Sequence, residues 1–464
     1  MKRRALLQAA AFAACGAARA EGASYSAEDL RHAELLREAA LRDNAAWALV
    51  DSLTTDIGPR PAGSAADARA AQWAVAALQR LGLASARAEA MSLRIWQRGP
   101  ASARLVAPNP QPLVMAALGN SVATPAGGIE ADIAWYPDLA ALKADSSERA
   151  KGRIVFIDQK TERTRDGRGY GAAVGARFSG ATEAARRGAV AVAIRSIGTD
   201  RDRIAHTGAM GYDLSVPRIP AFAVSVPDAE LIARLQERGA PLRLQFTLDA
   251  RSDVEATTHN VIAEVPGTDL ADEIVLLGAH LDSWDLGQGA IDDGAGVAIV
   301  SAALGVLHKA GKRPRRTVRV VLFGNEENGF DGAKHYGDRY GAAKHQLVSE
   351  SDFGAGRTWR LASRVQPAAL PLLDAMAAQL APLGVARGDN AGSPGPDAAV
   401  LMRRHKWPAL QLNQDGTNYF DVHHTENDTL DKVDAAALTQ NVACWAVVAW
   451  LAAQAPLPFG PAPL

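Results

Sequence analysis

The sequence predicts an α/β fold in which a mixed, largely parallel central sheet is flanked by helices. Residues 260–265 and 274–279 are short apolar runs, as expected of strands buried on both faces. A helical run over 295–307 follows, and it leads into a third apolar run over 317–323. The order strand, helix, strand predicts a right-handed parallel crossover, and functional groups of such sheets collect at the carboxyl ends of the strands.

The 464 residues are long for one domain, so more than one compact unit is expected. Before the sheet, residues 27–82 read as helical, with an amphipathic stretch over 67–81. Strand-like runs then alternate with Ala-rich helical stretches; these runs are 133–136, 153–157, 190–194 and 221–226. We therefore predict four segments: a signal peptide over 1–20, the N-terminal part of a catalytic domain over 21–127, a smaller β-rich α/β insert over 128–249, and the catalytic domain over 250–464.

The predicted insert carries no cluster of His, Asp and Glu, so its expected role is to cover the site or to shape the substrate. The segment from Pro217 to Pro220 is a candidate rim loop, and an ordinary connection is the simpler interpretation.

The N-terminus has the three parts of an export signal. Lys2, Arg3 and Arg4 precede an apolar stretch over 5–14, and Ala18-Arg19-Ala20 is a candidate cleavage site. The apolar stretch is too short to cross a bilayer, and we predict no membrane span. The expected location is periplasmic or secreted, by either the twin-arginine or the ordinary secretory route. Only Cys15 and Cys444 are present, so cleavage would leave a single thiol and no internal disulfide.

Charge argues against nucleic acid as a partner. The formal net charge is −1, and the sequence has no long basic run. Binding to phosphates needs clustered Lys and Arg, which are missing here.

Acidic and imidazole groups stand at the ends of the predicted strands. His280 and Asp282 follow one apolar run, Asp292 and Asp293 precede the helix, and Glu326-Glu327 follow the next strand. Zinc binds His nitrogen and carboxylate oxygen, and Asp282 could orient the His280 imidazole from behind. Of the two adjacent glutamates, one could bind metal while the other accepts a proton from the attacking water. A core histidine, a helix cap and a solvated Glu pair are the simpler readings of each cluster taken alone.

Five motifs occur in an order that resembles the co-catalytic zinc peptidase family, which contains leucyl aminopeptidases, aminopeptidase Y and the glutamate carboxypeptidases. They are LGAHLDS at 277–283, GAIDDGAG at 289–296, NEENG at 325–329, ESD at 350–352 and HHTENDT at 423–429. Together with the insert, which resembles a protease-associated domain, the similarity covers nearly the whole mature chain. The ESD motif and residues 419–424 look most like the glutamate carboxypeptidase branch.

The resemblance implies an exported exopeptidase or dipeptidase that uses two zinc ions to hydrolyse short peptides. One zinc would be held by His280 and Asp352, the other by Glu327 and His424, with Asp292 as the bridge and Glu326 as general base and acid. His423 is a less favoured substitute for His424. The resemblance also implies that Asp428 orients His424, that Tyr419 donates to the oxyanion, and that the bond between Asp292 and Asp293 is a cis peptide.

Charge supports two metals rather than one. Asp292, Glu327 and Asp352 bring −3 against +4 from two divalent ions, whereas three clustered carboxylates without metal would repel one another.

Two other functions remain open. A glutaminyl cyclase-like acyltransferase would use a single zinc, and a receptor-like relative would have lost activity. Two, one or zero zinc ions per chain would separate the three cases. Peptide is the expected partner, and a homodimer is left open.

Overall fold

The computed structural model describes residues 24–463, so the predicted signal peptide and Cys15 lie outside the described residues. The chain forms one extended mixed sheet with helices on both sides. Fourteen strands are named in the described residues, and twelve of them follow one another across the sheet. Several strands are buried throughout, namely Ile154–Ile157, Ala191–Arg195, Ala221–Val224 and Arg316–Phe323.

Three helices open the described chain: α1 (Ala27–Ala40), α2 (Ala45–Ser52) and α3 (Ala65–Arg80). Serine side chains cap α1 and α3, because Ser26 accepts the Asp29 N–H and Ser64 accepts the Asp67 N–H. The predicted amphipathic helix over 67–81 is therefore confirmed, and the broader helical prediction corresponds to three separate helices.

The middle of the chain contains seven strands and four helices. The strands are β1 (Arg87–Ala107), β2 (Gln111–Leu113), β3 (Met115–Ala117), β4 (Ile129–Tyr136), β5 (Ile154–Ile157), β6 (Ala191–Arg195) and β7 (Ala221–Val224). The helices are α4 (Leu139–Ala144), α5 (Arg168–Ala173), α6 (Gly175–Arg186) and α7 (Val226–Glu237). Strands β4 to β7 are parallel neighbours in chain order.

This middle part has hydrophobic clusters of its own on the two faces of β4 to β7. The four strand-like runs predicted here fall on these four strands, although Val226 begins α7 instead of ending β7. A long strand, β8 (Arg243–Val265), joins the two parts, because it pairs with β4 at one end and with a central strand at the other. That 128–249 forms a separate domain stays a prediction.

The rest of the chain builds the central part of the sheet and its helices. The strands are β9 (Leu270–His280), β10 (Arg316–Phe323), β11 (Lys344–Glu350), β12 (Thr358–Arg364), β13 (Ala386–Arg387) and β14 (Ala409–Gln414). The helices are α8 (Ala295–Lys309), α9 (Glu326–Gly329), α10 (Asp331–Tyr340), α11 (Leu370–Leu380), α12 (Pro396–His405), α13 (Tyr419–Val422) and α14 (Ala435–Gln454).

The predicted crossover is present. Strands β9 and β10 are parallel neighbours, and α8 connects them. Strand β11 lies parallel to β9 on its other side, so β10, β9 and β11 end at the same edge of the sheet. The α/β class with a mixed, largely parallel sheet is confirmed.

Two helical segments of the described residues are long and apolar enough to cross a membrane by length and composition, Ala290–Lys309 and Ala435–Gln454. Their apolar windows are 100% and 83% buried inside the fold. Core helices pass the same test, so this is weak evidence against the predicted absence of a span. Cys444 lies in α14 as a buried free thiol.

Candidate metal centre

The ends of three parallel strands bring the predicted ligands to one edge of the sheet. His280 is the last residue of β9, and Glu326 and Glu327 open α9 just after β10. Asp352 follows the end of β11 by two residues. Asp292 comes from the turn before α8, and His424 comes from the loop after α13.

Asp292 lies between the two histidines and offers one carboxylate oxygen to each. The distance from His280 Nε2 to Asp292 Oδ1 is 3.1 Å, and that from His424 Nε2 to Asp292 Oδ2 is 3.2 Å. Asp352 Oδ1 lies 3.6 Å from His280 Nε2, and Glu327 Oε2 lies 3.1 Å from His424 Nε2. The five predicted ligands thus form two groups that share Asp292.

Two carboxylate oxygens at the site have lone pairs that are available to a metal ion. Asp292 Oδ2 and Glu327 Oε1 are buried and form no hydrogen bond within residues 24–463, although His424 Nε2 is near the first of them. Buried carboxylate oxygens normally have partners. Two overlapping triplets, His280–Asp292–Glu327 and Asp292–His423–His424, each keep their donor atoms within 4.8 Å of one another. This donor set, of imidazole and carboxylate, fits zinc.

Asp282 supports the site in a different way from the one predicted. The His280 Nδ1 atom lies 3.0 Å from the Asp282 backbone carbonyl, whereas the Asp282 carboxylate is 3.8 Å away. That carboxylate accepts the backbone N–H groups of Glu326 at 3.0 Å and Glu327 at 3.4 Å. Asp282 therefore orients His280 through its backbone and fixes the Glu pair through its side chain.

The structure pairs the Asp428 side chain with backbone groups of the 291–292 turn, whereas the resemblance implied that it orients His424. The Asp428 carboxylate accepts the N–H of Ile291 at 2.6 Å and the N–H of Asp292 at 3.2 Å. It lies behind the central carboxylate because residues 287 and 288 pack against the 425–428 turn. The His424 Nδ1 atom instead lies 3.3 Å from the backbone carbonyl of Thr207.

Asp293 was not assigned a role, yet it supports the same site. Its carboxylate accepts the backbone N–H of His280 at 3.0 Å and that of Gly296 at 3.1 Å. The peptide bond between Asp292 and Asp293 is cis, as the resemblance implied. The Asp292 side chain faces the two histidines, whereas the Asp293 side chain accepts backbone N–H groups.

His423 lies close enough to remain an alternative ligand. Its ring stacks on the His424 ring at 3.5 Å between centroids, and its Nε2 lies 3.5 Å from Asp292 Oδ2. His424 has two carboxylate neighbours, Asp292 and Glu327, so its position agrees better with the predicted assignment.

Glu326 and Tyr419 flank the ligand groups. Burial raises the pKa of Glu326 well above its usual value, and the charges of Asp352 and Glu327 raise it further. Tyr419 is buried and packs against Phe353 and His423. Burial, followed by the Asp292 and Asp352 charges, raises the pKa of the Tyr419 phenol well above its usual value, so this group keeps its proton.

Two residues from the predicted insert reach the site, although no local sequence pattern indicated them. Thr207 contacts His424, and Arg177 is buried with its Nη1 3.3 Å from the Thr207 carbonyl and 3.5 Å from His424 Nδ1. The Arg177 Nε atom has no hydrogen-bond partner within the part of the chain that the structure describes. Arg60, also unassigned, is fully buried and donates to the backbone carbonyls of Leu281 and Gly289.

Comparisons with known proteins identify the family of this chain. A model of peptidase family M28 matches residues 260–449. Carboxypeptidase Q from Mus musculus is 34% identical over 412 residues, which span 88% of this chain and 86% of that protein. The chain belongs to peptidase family M28. A crystal structure of a peptidase M28 precursor from Shewanella amazonensis superposes with a TM-score of 0.92 at 47% identity, covering 94% of this chain and 99% of that one.

M28 membership confirms the predicted resemblance and the predicted enzyme class, a zinc-dependent exopeptidase. Carboxypeptidase Q from Homo sapiens is 33% identical over 403 residues, or 86% of this chain and 84% of that protein. A zinc aminopeptidase from Bacillus subtilis has a TM-score of 0.61 at 19% identity over 87% of this chain and 94% of that one, and it shows the fold alone. The assignment of individual M28 site residues rests on the contacts described above.

Proposed function

We propose that this M28 peptidase is an exported di-zinc enzyme that hydrolyses short peptides, with Glu326 as general base and acid. The observation that carries the proposal is the position of Asp292, which directs one oxygen toward His280 and the other toward His424. A bridge of this kind suits two ions, one beside His280 and Asp352 and the other beside His424 and Glu327. Paired zinc ions would lower the pKa of water and polarise a substrate carbonyl.

The protein's own residues would move the proton. Glu326 is beside the ligand groups but not within them, and its backbone is fixed by the Asp282 carboxylate. A carboxylate held there can accept a proton from water and then pass it to the leaving amine. The Tyr419 phenol, which keeps its proton, would donate a hydrogen bond to the oxyanion that forms at the carbonyl carbon.

The surroundings favour small substrates with a free carboxylate. The segment around Thr207 and Arg177 covers the His424 side of the site, which restricts extended peptides. Arg60 and Arg98 donate hydrogen bonds to backbone carbonyls, and Arg98 also forms an ion pair with Asp285, so these N–H groups are already used within the protein. Within residues 24–463 the buried Arg177 Nε has no hydrogen-bond partner, which supports this guanidinium as the partner of a substrate carboxylate.

Zinc analysis of the purified protein tests the proposal. We expect two zinc ions per chain, loss of dipeptide hydrolysis on chelation, and recovery when zinc is added. One zinc would favour the cyclase-like alternative, and none would favour an inactive receptor-like relative. Full activity of the metal-free protein would contradict the metal mechanism outright.

A substrate panel tests which end of the peptide is read. Dipeptides, N-acetylated dipeptides and dipeptide amides should be compared at equal concentration. A dipeptidase needs both free termini, so both kinds of blocking should slow hydrolysis. Insensitivity to acetylation would make the enzyme a carboxypeptidase, and rapid cleavage within long peptides would exclude both.

A further inference from the structure

The 199–208 segment of the predicted insert is bound along the 420–427 loop that carries His424. The Thr199 N–H donates to the Phe420 carbonyl at 3.0 Å. The Asn427 side-chain amide donates to Asp202 at 3.1 Å. Arg163, also from this part of the chain, forms an ion pair with Asp421 at 2.6 Å. The loop is therefore held by several bonds from residues more than two hundred positions away.

A further contact between these two parts acts directly on a proposed zinc ligand. The Thr207 N–H donates to the His424 carbonyl at 3.0 Å, and the Thr207 carbonyl lies 3.3 Å from His424 Nδ1. Because Nε2 of this ring faces Asp292 and Glu327, Nδ1 must carry the proton when Nε2 binds a metal. The Thr207 carbonyl would then select both the tautomer and the ring orientation.

Thr207 is itself fixed by two further groups. Its hydroxyl donates to the Ala117 carbonyl at 2.8 Å and accepts from Arg98 Nη2 at 2.9 Å. Arg98 is paired with Asp285 at 2.7 Å. The orientation of the carbonyl therefore does not depend on His424 alone.

The next residue leaves no room for a side chain. Gly208 has a φ of +135°, and a Cβ there would lie 2.3 Å from Arg177 Nη1 and 2.7 Å from His424 Nδ1. Any other residue would push directly on the ligand ring. Glycine here is thus required by the close approach of the insert segment to His424.

We infer that Thr207 and Gly208 are positioning residues for His424, so that this segment sets the affinity of the zinc position formed by His424 and Glu327. The other position, formed by His280 and Asp352, is oriented by the Asp282 carbonyl just after β9 and by Asp293 in the turn before α8, and it should not depend on the segment. The inference rests on the proposed di-zinc function. It makes the insert part of the metal centre as well as a cover for it.

Gly208→Ala in the full chain is the direct test, with Gly211→Ala, three residues further along the chain, as a matched control. A Cβ at Gly211 would meet nothing nearer than Phe178 at 3.4 Å. We measure zinc bound per chain across a series of chelator-buffered free zinc concentrations. Gly208→Ala should need about 10–100-fold more free zinc to fill one of its two positions, while the second fills normally. Excess zinc should restore activity, and Gly211→Ala should behave as the wild type.

Thr207→Val is a second variant that tests the same inference without introducing a steric clash. This change removes the hydroxyl bonds to Ala117 and Arg98, and it should weaken the same zinc in the same direction. If Gly208→Ala does not fold, Thr207→Val alone decides. Wild-type zinc affinity at both positions in the folded variants would overturn the inference, as would equal weakening of both positions. A wild-type protein that binds no zinc would instead overturn the proposed function.

Discussion

Asp428 holds Asp292 in place from behind through the backbone. Its carboxylate accepts the Asp292 N–H at 3.2 Å and the neighbouring Ile291 N–H at 2.6 Å, so the turn that carries the central carboxylate cannot shift without breaking these bonds. Because Asp292 contacts both His280 and His424, a shift of its carboxylate would disturb both proposed zinc positions.

We expect Asp428→Ala to weaken both zinc positions together. The change leaves two buried N–H groups without acceptors, and each such group costs about 1–3 kcal/mol. The thermal unfolding midpoint of the metal-free protein should fall, and both zinc ions should leave at higher free zinc than in the wild type. Asp431→Ala is the control, since the Asp431 side chain is exposed and pairs with its neighbour Lys432. Selective loss of one zinc in Asp428→Ala would contradict the shared role of Asp292.

Glu326 and Glu327 are adjacent and should respond oppositely to the same change. Glu326→Gln should lower kcat by about 10²–10⁴-fold, the typical cost of losing a general base, while two zinc ions remain bound. Glu327→Gln should lose or weaken the zinc beside His424, because Glu327 Oε2 lies 3.1 Å from that ring. Zinc analysis and steady-state kinetics on both variants check this. The reverse pattern would exchange the two roles.

Arg177→Met should change which substrates are preferred. If the guanidinium binds a substrate carboxylate, kcat/KM for a dipeptide should fall by about 10–100-fold, which corresponds to about 1.4–2.8 kcal/mol of lost charge-assisted bonding. The rate on the matching dipeptide amide should change little, and both zinc ions should stay bound. An equal fall on both substrates would show that Arg177 acts through Thr207 and not through the substrate.

His345 provides a pH dependence far from the metal groups. Burial, as the largest cause, lowers the pKa of this imidazole to about 3. Its Nδ1 lies 3.1 Å from the Ala343 carbonyl, and its Nε2 lies 2.8 Å from the Tyr336 hydroxyl, which also accepts from Arg319. The Tyr336 proton must therefore point at Nε2, and a second ring proton there would clash with it.

The stability of the protein should fall as the pH is lowered, because the unfolded chain binds a proton at His345 more readily than the folded chain does. The unfolded chain binds a proton at His345 near pH 6.5, whereas the folded chain resists protonation until about pH 3. The unfolded state thus holds more protons in this window, and stability falls as the pH drops from 6.5, by up to about 1.4 kcal/mol per pH unit. His345→Gln should remove this part of the slope. Urea unfolding of both proteins between pH 4 and 7, with the same zinc concentration, measures the difference; parallel curves would refute it.

The sequence predicted the parts of the fold that local patterns encode. Buried parallel strands such as β9 and β10 are continuous apolar runs, and the polar residues that follow them, His280 and Glu326, are visible as breaks in those runs. Because parallel strands end at one edge, the sequence also placed Asp292 and Glu327 near these residues, whereas Asp352 and His424 were assigned from the family resemblance. For His280 and Glu326, their position directly after a predicted strand was enough to predict that they lie at this edge of the sheet.

Contacts made across the fold were not visible in the same way. Thr207 and Arg177 stand in a part of the chain where no metal site was predicted, and their role depends on contacts with His424 more than 200 positions away. Asp428 was assigned to the histidine nearest in sequence, whereas the structure places it on a turn 136 positions earlier. Arg60 stands in a loop rich in Gly and Pro, which is only a weak signal of a fixed buried group.

The exchange of hydrogen bonds between Thr207 and His424 has a consequence for how the protein matures. The zinc position beside His424 needs residues from the second, third and last quarters of the chain, joined over 217 positions in the case of Thr207. No partial chain that ends before residue 424 can form it. If zinc binds at this position as proposed, its binding would report that the parts of the chain around residues 207 and 424 have come together, and hydrolysis that needs this ion would begin only after that step of folding.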